Sequence, residues 1–327
     1  MADVSSVRPI AVILGVVATV VSAPLLAGGA ASAATAPTPH LDSPAGLTGG
    51  AAAPRSADPA GTYVPQTSCD PTEKPGITRF KTLVLSQYPV GEDWGSFRNC
   101  TDDGISEHLE GRAWDWHVDV TNPEQFAAAG NVLQWLTQRG PDGKLGYNAR
   151  RLGVMYLGYN HRIWASYRMQ SGWRVLKNDN PHTDHVHFSF TWAGAMARTS
   201  FWTGHKAAPD FGPCRPYKGQ PAVLRTMRRA HPCPTPPALP KRFAGAQLLW
   251  RGSSGPLVTR TQELLGATPT GVFGSQTQAA VAEYQVARGL PRTGAVDART
   301  YYSLHLKTGG AVSPAKSSTL SNRRGTR

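Results

Sequence analysis

The sequence predicts an α+β protein, with a mixed domain built on an antiparallel sheet over residues 67–205 and a small three-helix domain over residues 244–306. In the first region, apolar and polar residues alternate over residues 113–120, which is typical of a half-buried strand. A strong helix start follows that strand directly. In the second region, three candidate N-caps each precede a stretch with helical spacing.

The strand over residues 113–120 has two chemically different faces. One face carries Trp114, Trp116, Val118 and Val120, and the other carries Asp115, His117 and Asp119. The helix that follows begins at Asn122 as N-cap with Pro123 at its first position, and it ends at Gly140. Its predicted inner stripe consists of Phe126, Gly130, Leu133 and Leu136.

The remaining elements follow from shorter patterns. A helix is predicted over residues 77–86, and strands are predicted over residues 154–157, 162–165, 173–176 and 184–192. In the C-terminal region, Ser254, Ser275 and Asp297 are the candidate N-caps of helices that reach Leu265, Gly289 and Leu306.

The N-terminus has the organisation of a secretory signal peptide over residues 1–33. A positive flank at Arg8 precedes an apolar run over residues 10–26, and the small residues of Ala31-Ser32-Ala33 follow. An uncleaved membrane anchor is the alternative, but the run is shorter than the ~20 residues of a membrane span. We therefore expect a secreted protein without stable membrane insertion.

Three further segments are predicted to lie outside the two domains. Residues 34–66 are rich in small residues and proline, which predicts a disordered leader. The proline-rich residues 206–243 predict a stiff linker, and residues 307–327 predict a disordered basic tail.

The chain contains four cysteines, an even number that favours disulfides in an exported protein. Their order suggests Cys69–Cys100 and Cys214–Cys233, although three connectivities are possible. A cysteine nucleophile is the alternative, and it is disfavoured because extracellular cysteines are usually oxidised.

The formal net charge of +13 favours an anionic wall polymer or a membrane surface as a partner. Nucleic acid is the other common partner of basic proteins, but here Lys and Arg are scattered along a chain predicted to be exported. A role of the charge in solubility alone is the remaining alternative. We expect a monomer that binds no nucleic acid.

The strongest indication of chemistry is a set of dispersed histidines and carboxylates. His108 and Asp115 are separated by six residues, and the run Asp184-His185-Val186-His187 follows far downstream. In the last strand, both histidines of the His-x-His pair point away from the predicted core. Two histidines and one carboxylate form a common catalytic zinc site, which leaves one position for water.

The pattern Ser-x-His-x-x-Gly-x-Ala-x-Asp over residues 106–115, with a later Asp-x-x-His, resembles the VanY-type D-Ala-D-Ala carboxypeptidases and L-Ala-D-Glu endopeptidases. The resemblance covers roughly residues 69–203 and implies the lysostaphin/carboxypeptidase/Hedgehog-like zinc fold. It also implies that Zn²⁺ is held by His108, Asp115 and His187. Asp184 matches the position of the general base, and Arg98 matches the position of an oxyanion-stabilising residue.

The chain departs from this family pattern at the base, which is usually Glu. Asp184 is one methylene shorter, and His185 is a direct competitor as the base or as a stabiliser of the transition state. His117, Asp119 and His182 are interpreted as supporting or surface groups. The tryptophans are interpreted as core residues rather than substrate contacts, namely Trp114, Trp116, Trp164 and Trp192.

Residues 244–306 resemble the three-helix peptidoglycan-binding domain. The segments that carry the resemblance are Gly271-Val-Phe273-Gly274, Tyr284-Gln285, Gly289-Leu290 and Thr293-Gly294. The resemblance implies peptidoglycan as a partner.

Together these features predict a secreted zinc metallopeptidase that cuts peptidoglycan stem peptides, as a D,D-carboxypeptidase or an L-Ala-D-Glu-type endopeptidase. The main alternative is a non-catalytic cell-wall-binding protein with a structural or vestigial metal site. A weaker alternative is a glycan hydrolase that uses Glu107 and Glu110 as paired carboxylates.

Overall fold

The computed structural model of the chain describes residues 47–306, apart from 103, 178, 179 and 226, together with 313–314. The predicted signal peptide, the first part of the predicted leader and most of the predicted tail lie outside the described residues. No helix in the described part of the chain is both long and apolar enough to cross a membrane.

The first domain is built on an antiparallel sheet. Its strands are β1 (Glu92–Asp93), β2 (Ala113–His117), β3 (Val154–Tyr159), β4 (Arg162–Ala165), β5 (Arg174–Val175) and β6 (His185–Phe190). They lie in the order β1-β2-β6-β3-β4-β5, so the last strand in sequence is central in the sheet. Every pairing is antiparallel, which confirms the predicted α+β class.

Helices pack around this sheet. They are α1 (Pro75–Gln87), α2 (Pro123–Thr137), α3 (Tyr147–Leu152), α4 (Trp192–Ala195) and α5 (Ser200–Thr203), with 3₁₀ helices at Glu107–Glu110 and Ser166–Ser171. In α1, Phe80 is fully buried, and its ring packs against Trp114 and Phe188 with centroids 5.9 and 5.1 Å away. The tryptophans predicted to be core are all buried. One sheet face therefore carries the apolar core and leaves the other for polar side chains.

The start of α2 is confirmed, but its predicted inner stripe is partly wrong. The Asn122 side chain accepts hydrogen bonds from the backbone N–H groups of Glu124 and Gln125. Phe126, however, is 46% exposed and stacks on Tyr159 at the edge of the domain. Gly130 is also exposed, whereas Leu133 and Leu136 are buried as predicted. The buried face of the helix consists of Ala128, Ala129, Val132, Leu133, Trp135 and Leu136.

Residues 47–66 differ from the predicted disordered leader, because they pack along the first domain. Leu47 is buried within the main apolar cluster, and the backbone N–H of Ala51 donates to the carbonyl of Phe201 at 2.7 Å. The buried Asp58 side chain accepts hydrogen bonds from the backbone N–H groups of Ser200 and Ala207. Polar contacts of this kind are not visible in an apolar pattern, which is why composition alone predicted disorder.

Both disulfides suggested by the order of the cysteines are present, Cys69–Cys100 and Cys214–Cys233. The second closes a loop within the proline-rich segment. The only regular element in the described part of residues 206–243 is the short 3₁₀ helix Lys241–Phe243.

The C-terminal region contains α6 (Pro256–Leu264), α7 (Ser275–Ala287), α8 (Ala298–Ser303) and the short strands β7 (Ser253–Ser254) and β8 (Ser313–Pro314). Asp297 caps α8 as predicted, since its side chain accepts from the N–H of Thr300. The predicted caps Ser254 and Ser275 are wrong, because Gly255 and Gly274 occupy those positions without a side-chain hydrogen bond.

Two buried glutamines hold the loops of this region in the same way. The side chain of Gln262 contacts Thr270, the backbone of Gly271 and Val272, and Thr277. The side chain of Gln285 makes the equivalent contacts with Thr293, the backbone of Gly294 and Ala295, and Thr300. The region therefore contains a structural repeat in which each amide satisfies the buried polar groups of one loop.

Candidate metal centre

The pairing of β2 with β6 brings the predicted site residues together. Asp115 lies opposite His187, and His117 lies opposite His185. Because side chains alternate along a strand, these residues share the sheet face opposite the apolar core. The pairing of these two strands thus brings together residues that lie about 70 positions apart in the chain.

His108 reaches the same place from the 3₁₀ helix that precedes β2. The Ser106 hydroxyl accepts a hydrogen bond from the His108 backbone N–H and so begins this helix. Gly111 ends it with a left-handed φ of 60°, and a Cβ atom there would lie 2.0 Å from the carbonyl oxygen of Thr72. Glycine is therefore required for the chain to turn back into β2.

The three side chains form a compact buried group. His108 Nε2 lies 3.2 Å from one carboxylate oxygen of Asp115, and His187 Nδ1 lies 2.9 Å from the other. The candidate ligand atoms of His108, Asp115 and His187 all lie within 4.8 Å of one another.

The Asp115 carboxylate is strongly favoured in its charged form. Burial by itself raises the pKa of Asp115, but the neighbouring imidazoles of His108 and His187 outweigh this effect. The pKa of Asp115 is therefore held well below its ordinary value. A carboxylate that stays ionised is a suitable ligand for a divalent cation.

The donor set fits a zinc ion. His108 Nε2 is buried and has no hydrogen-bond partner among the described residues, although it faces the Asp115 carboxylate. Unpaired buried polar atoms are rare, and a cation shared with the neighbouring ligands would satisfy this one. Imidazole nitrogens and a carboxylate oxygen are also ligands that zinc accepts.

The predicted catalytic residues lie around this group at different depths. His185 is buried, and its Nε2 atom lies 3.8 Å from Asp115 Oδ1. Asp184 has a half-exposed side chain that contacts His185 rather than the centre. Arg98 is 47% exposed in its side chain, and its guanidinium lies 3.3 Å from Asp115 Oδ2.

His182 lies inside the cluster of histidines and carboxylates that surrounds the candidate metal ligands. The sequence pattern predicted only a supporting or surface role for it. Its ring centroid is 4.8 Å from that of His185 and 5.8 Å from that of His187. Burial, together with His187 and His185, lowers the pKa of His182 to about 4. Gly158 makes room for this ring, since a Cβ atom at that position would lie 3.2 Å from it.

Trp94 is an aromatic residue of the site that sequence analysis missed. It stacks on His117 with ring centroids 4.1 Å apart, and it lies 5.8 Å from His185. Its side chain is 46% exposed at the edge of the cluster. No motif marks this position, because the contact depends on the short strand β1 lying beside β2.

Glu107 and Glu110 do not form an open pair of carboxylates. Both are buried, and both lie next to Arg112, with N–O distances of 3.7 and 2.6 Å. This arrangement removes the geometric basis of the glycan hydrolase alternative, which needs two carboxyl groups that flank a substrate.

Comparison with known proteins finds two regions of similarity. Residues 69–187 match the family model of the VldE, C-terminal domain, and this region includes every residue of the cluster described above. Residues 260–304 match the model of the putative peptidoglycan binding domain. No curated protein and no solved structure matches the chain significantly. The chain thus contains a region similar to the VldE C-terminal domain, followed by a peptidoglycan-binding domain.

Proposed function

We propose that this protein is a secreted, zinc-dependent peptidase that cuts stem peptides of peptidoglycan, as a D,D-carboxypeptidase or an L-Ala-D-Glu-type endopeptidase. The observation that carries the proposal is the buried group of His108, Asp115 and His187, with its candidate ligand atoms within 4.8 Å of one another. The same residues match the ligand positions of the VanY-type pattern.

In this proposal His108, Asp115 and His187 hold the metal. A bound Zn²⁺ supplies Lewis acidity, which acidifies water and polarises a carbonyl group. His185 Nε2 accepts a proton from the attacking water. This assignment is supported by the position of the atom, which is buried beside Asp115 and has no hydrogen-bond partner among the described residues. Arg98 offers a positive charge to the developing oxyanion from the rim of the site.

The peptidoglycan-binding domain supports cell-wall targeting of this activity. Attachment to the wall keeps the catalytic domain near its substrate and so raises the effective concentration of stem peptides. The two disulfides agree with an extracellular location. We propose that the mature protein acts as a monomer and that its net positive charge attracts anionic wall polymers as secondary partners.

The decisive experiment is the substitution His108→Ala in the mature protein. We expect loss of bound zinc and of peptide release from purified peptidoglycan, because one of three protein ligands is removed. Pull-down on insoluble peptidoglycan should be unchanged, since the binding domain is separate in sequence. His205→Ala is the matched control, because this histidine is exposed and outside the cluster. Digestion by His108→Ala at the wild-type rate contradicts the proposal and favours a non-catalytic wall-binding protein.

A further inference from the structure

A chain of buried polar contacts extends from His187 away from the metal centre. The Nε2 atom of His187 lies 2.8 Å from the Ser189 hydroxyl, and that hydroxyl lies 3.0 Å from Glu107 Oε2. Ser189 is fully buried and Glu107 nearly so. We infer that Ser189 and Glu107 are positioning residues that fix the ring of His187 with Nδ1 toward the metal. This inference rests on the proposed function of the centre.

The direction of the hydrogen bonds follows from their chemistry. A carboxylate only accepts hydrogen bonds, so the Ser189 hydroxyl donates to Glu107. The Ser189 oxygen then accepts from His187, which places the ring proton on Nε2. A neutral imidazole with its proton on Nε2 has its lone pair on Nδ1, and this nitrogen is then the one that can bind a metal.

With this tautomer, two hydrogen-bond acceptors face each other on the other side of the ring. His187 Nδ1 lies 2.9 Å from Asp115 Oδ1. A nitrogen lone pair and a carboxylate oxygen repel each other at this distance unless a cation lies close to both. The contacts of Ser189 therefore prepare the His187–Asp115 pair for a positively charged ligand.

The far end of this chain of contacts is fixed by buried residues. The Tyr156 hydroxyl also donates to Glu107 Oε2, and the Tyr156 ring stacks on His187 with centroids 5.4 Å apart. Arg112 lies beside Glu107, and its guanidinium donates to the carbonyl oxygens of Phe190 and Val64 at 2.8 and 2.6 Å. Neither Glu107 nor His187 is therefore free to rotate, and the charge of Glu107 is compensated within the core.

The inference is tested by measuring zinc affinity, through competition with a chromogenic chelator, for wild type, Ser189→Ala and Glu107→Gln. We expect both variants to bind zinc about 10–100-fold more weakly, because loss of such supporting contacts typically has this effect. Ser166→Ala is the matched control. It removes another buried hydroxyl of the same domain, one that donates to the Val154 carbonyl and not to a ligand, so its zinc affinity should be unchanged.

A second measurement does not depend on the folding of any variant. Long-range ¹H–¹⁵N correlation spectra of zinc-loaded wild type should place the His187 proton on Nε2. A proton on Nδ1 overturns the inference, as does wild-type affinity in folded Ser189→Ala or an equal loss in Ser166→Ala. Absence of zinc binding by wild type contradicts the proposed function itself, so the two failures are distinguishable.

Discussion

The imidazole Nδ1 atom of His185 lies 2.7 Å from Oδ1 of Asp184, its neighbour in the chain. Because the carboxylate can only accept, Nδ1 carries the ring proton and Nε2 is left as an acceptor. That Nε2 atom is buried, 3.8 Å from Asp115 Oδ1, and has no hydrogen-bond partner within the described part of the chain. The sequence pattern favoured Asp184 as the base, with His185 as its competitor, whereas this geometry favours His185, oriented by Asp184.

We predict that His185→Gln lowers kcat/KM for peptide release from peptidoglycan by about 10²–10⁴-fold, the usual contribution of a general base. Asp184→Asn should lower it by only about 10–100-fold, because it weakens the orientation of a group that is still present. Zinc content should stay at the wild-type level in both variants, since neither residue belongs to the His108–Asp115–His187 group.

The two variants are best compared side by side with His205→Ala, which changes an exposed histidine outside the cluster. The opposite ranking, with Asp184→Asn inactive and His185→Gln nearly as active as wild type, would assign the base to Asp184. Equal and complete loss accompanied by loss of zinc would show instead that the residues help to hold the metal.

Removal of the metal should stop turnover without unfolding the domain. The centre lies on one sheet face, whereas the core around Phe80, Trp114 and Phe188 lies on the other. We therefore expect a chelator to abolish peptide release and to lower Tm by an amount set by the lost binding free energy, with a cooperative transition retained. Differential scanning calorimetry and activity after zinc is added back provide the measurement.

The same experiment addresses the structural-metal alternative. An ion that holds the fold together gives an unfolded domain when it is removed, with loss of near-ultraviolet circular dichroism before any heating. When the metal is removed, the Asp115 carboxylate still has two imidazoles within 3.2 Å of it. Loss of the metal is therefore not expected to unfold the domain through this residue.

The candidate site was largely predictable because it depends on strand alternation. Residues 115, 185 and 187 alternate with apolar core residues along their strands, so their common face follows from a period of two. The burial of His182 and the stacking of Trp94 on His117 were not predictable. Both depend on loops and on a two-residue edge strand, whose positions carry no periodic signal.

The positions of the helices and strands were predicted better than the burial of their side chains. The bounds of α2 at its N-terminus follow from Asn122 and Pro123, which act locally. The exposure of Phe126 did not follow, because the choice of buried face depends on what the helix packs against. The packing of residues 47–66 likewise depends on distant backbone partners that composition does not reveal.

The segment 47–66 can be tested through Asp58, which is buried and accepts from two backbone N–H groups. We predict that Asp58→Ala lowers the free energy of unfolding by about 2–6 kcal/mol, since each donor left without a partner costs about 1–3 kcal/mol. Asp58→Asn should cost less, because its amide oxygen replaces one acceptor, and Thr62→Ala, at an exposed position of the same segment, should be neutral. Urea denaturation followed by tryptophan fluorescence measures all three. An unchanged midpoint for Asp58→Ala would mean that these two hydrogen bonds contribute nothing to stability, because a contact that stabilises the native state must shift the unfolding equilibrium when it is lost.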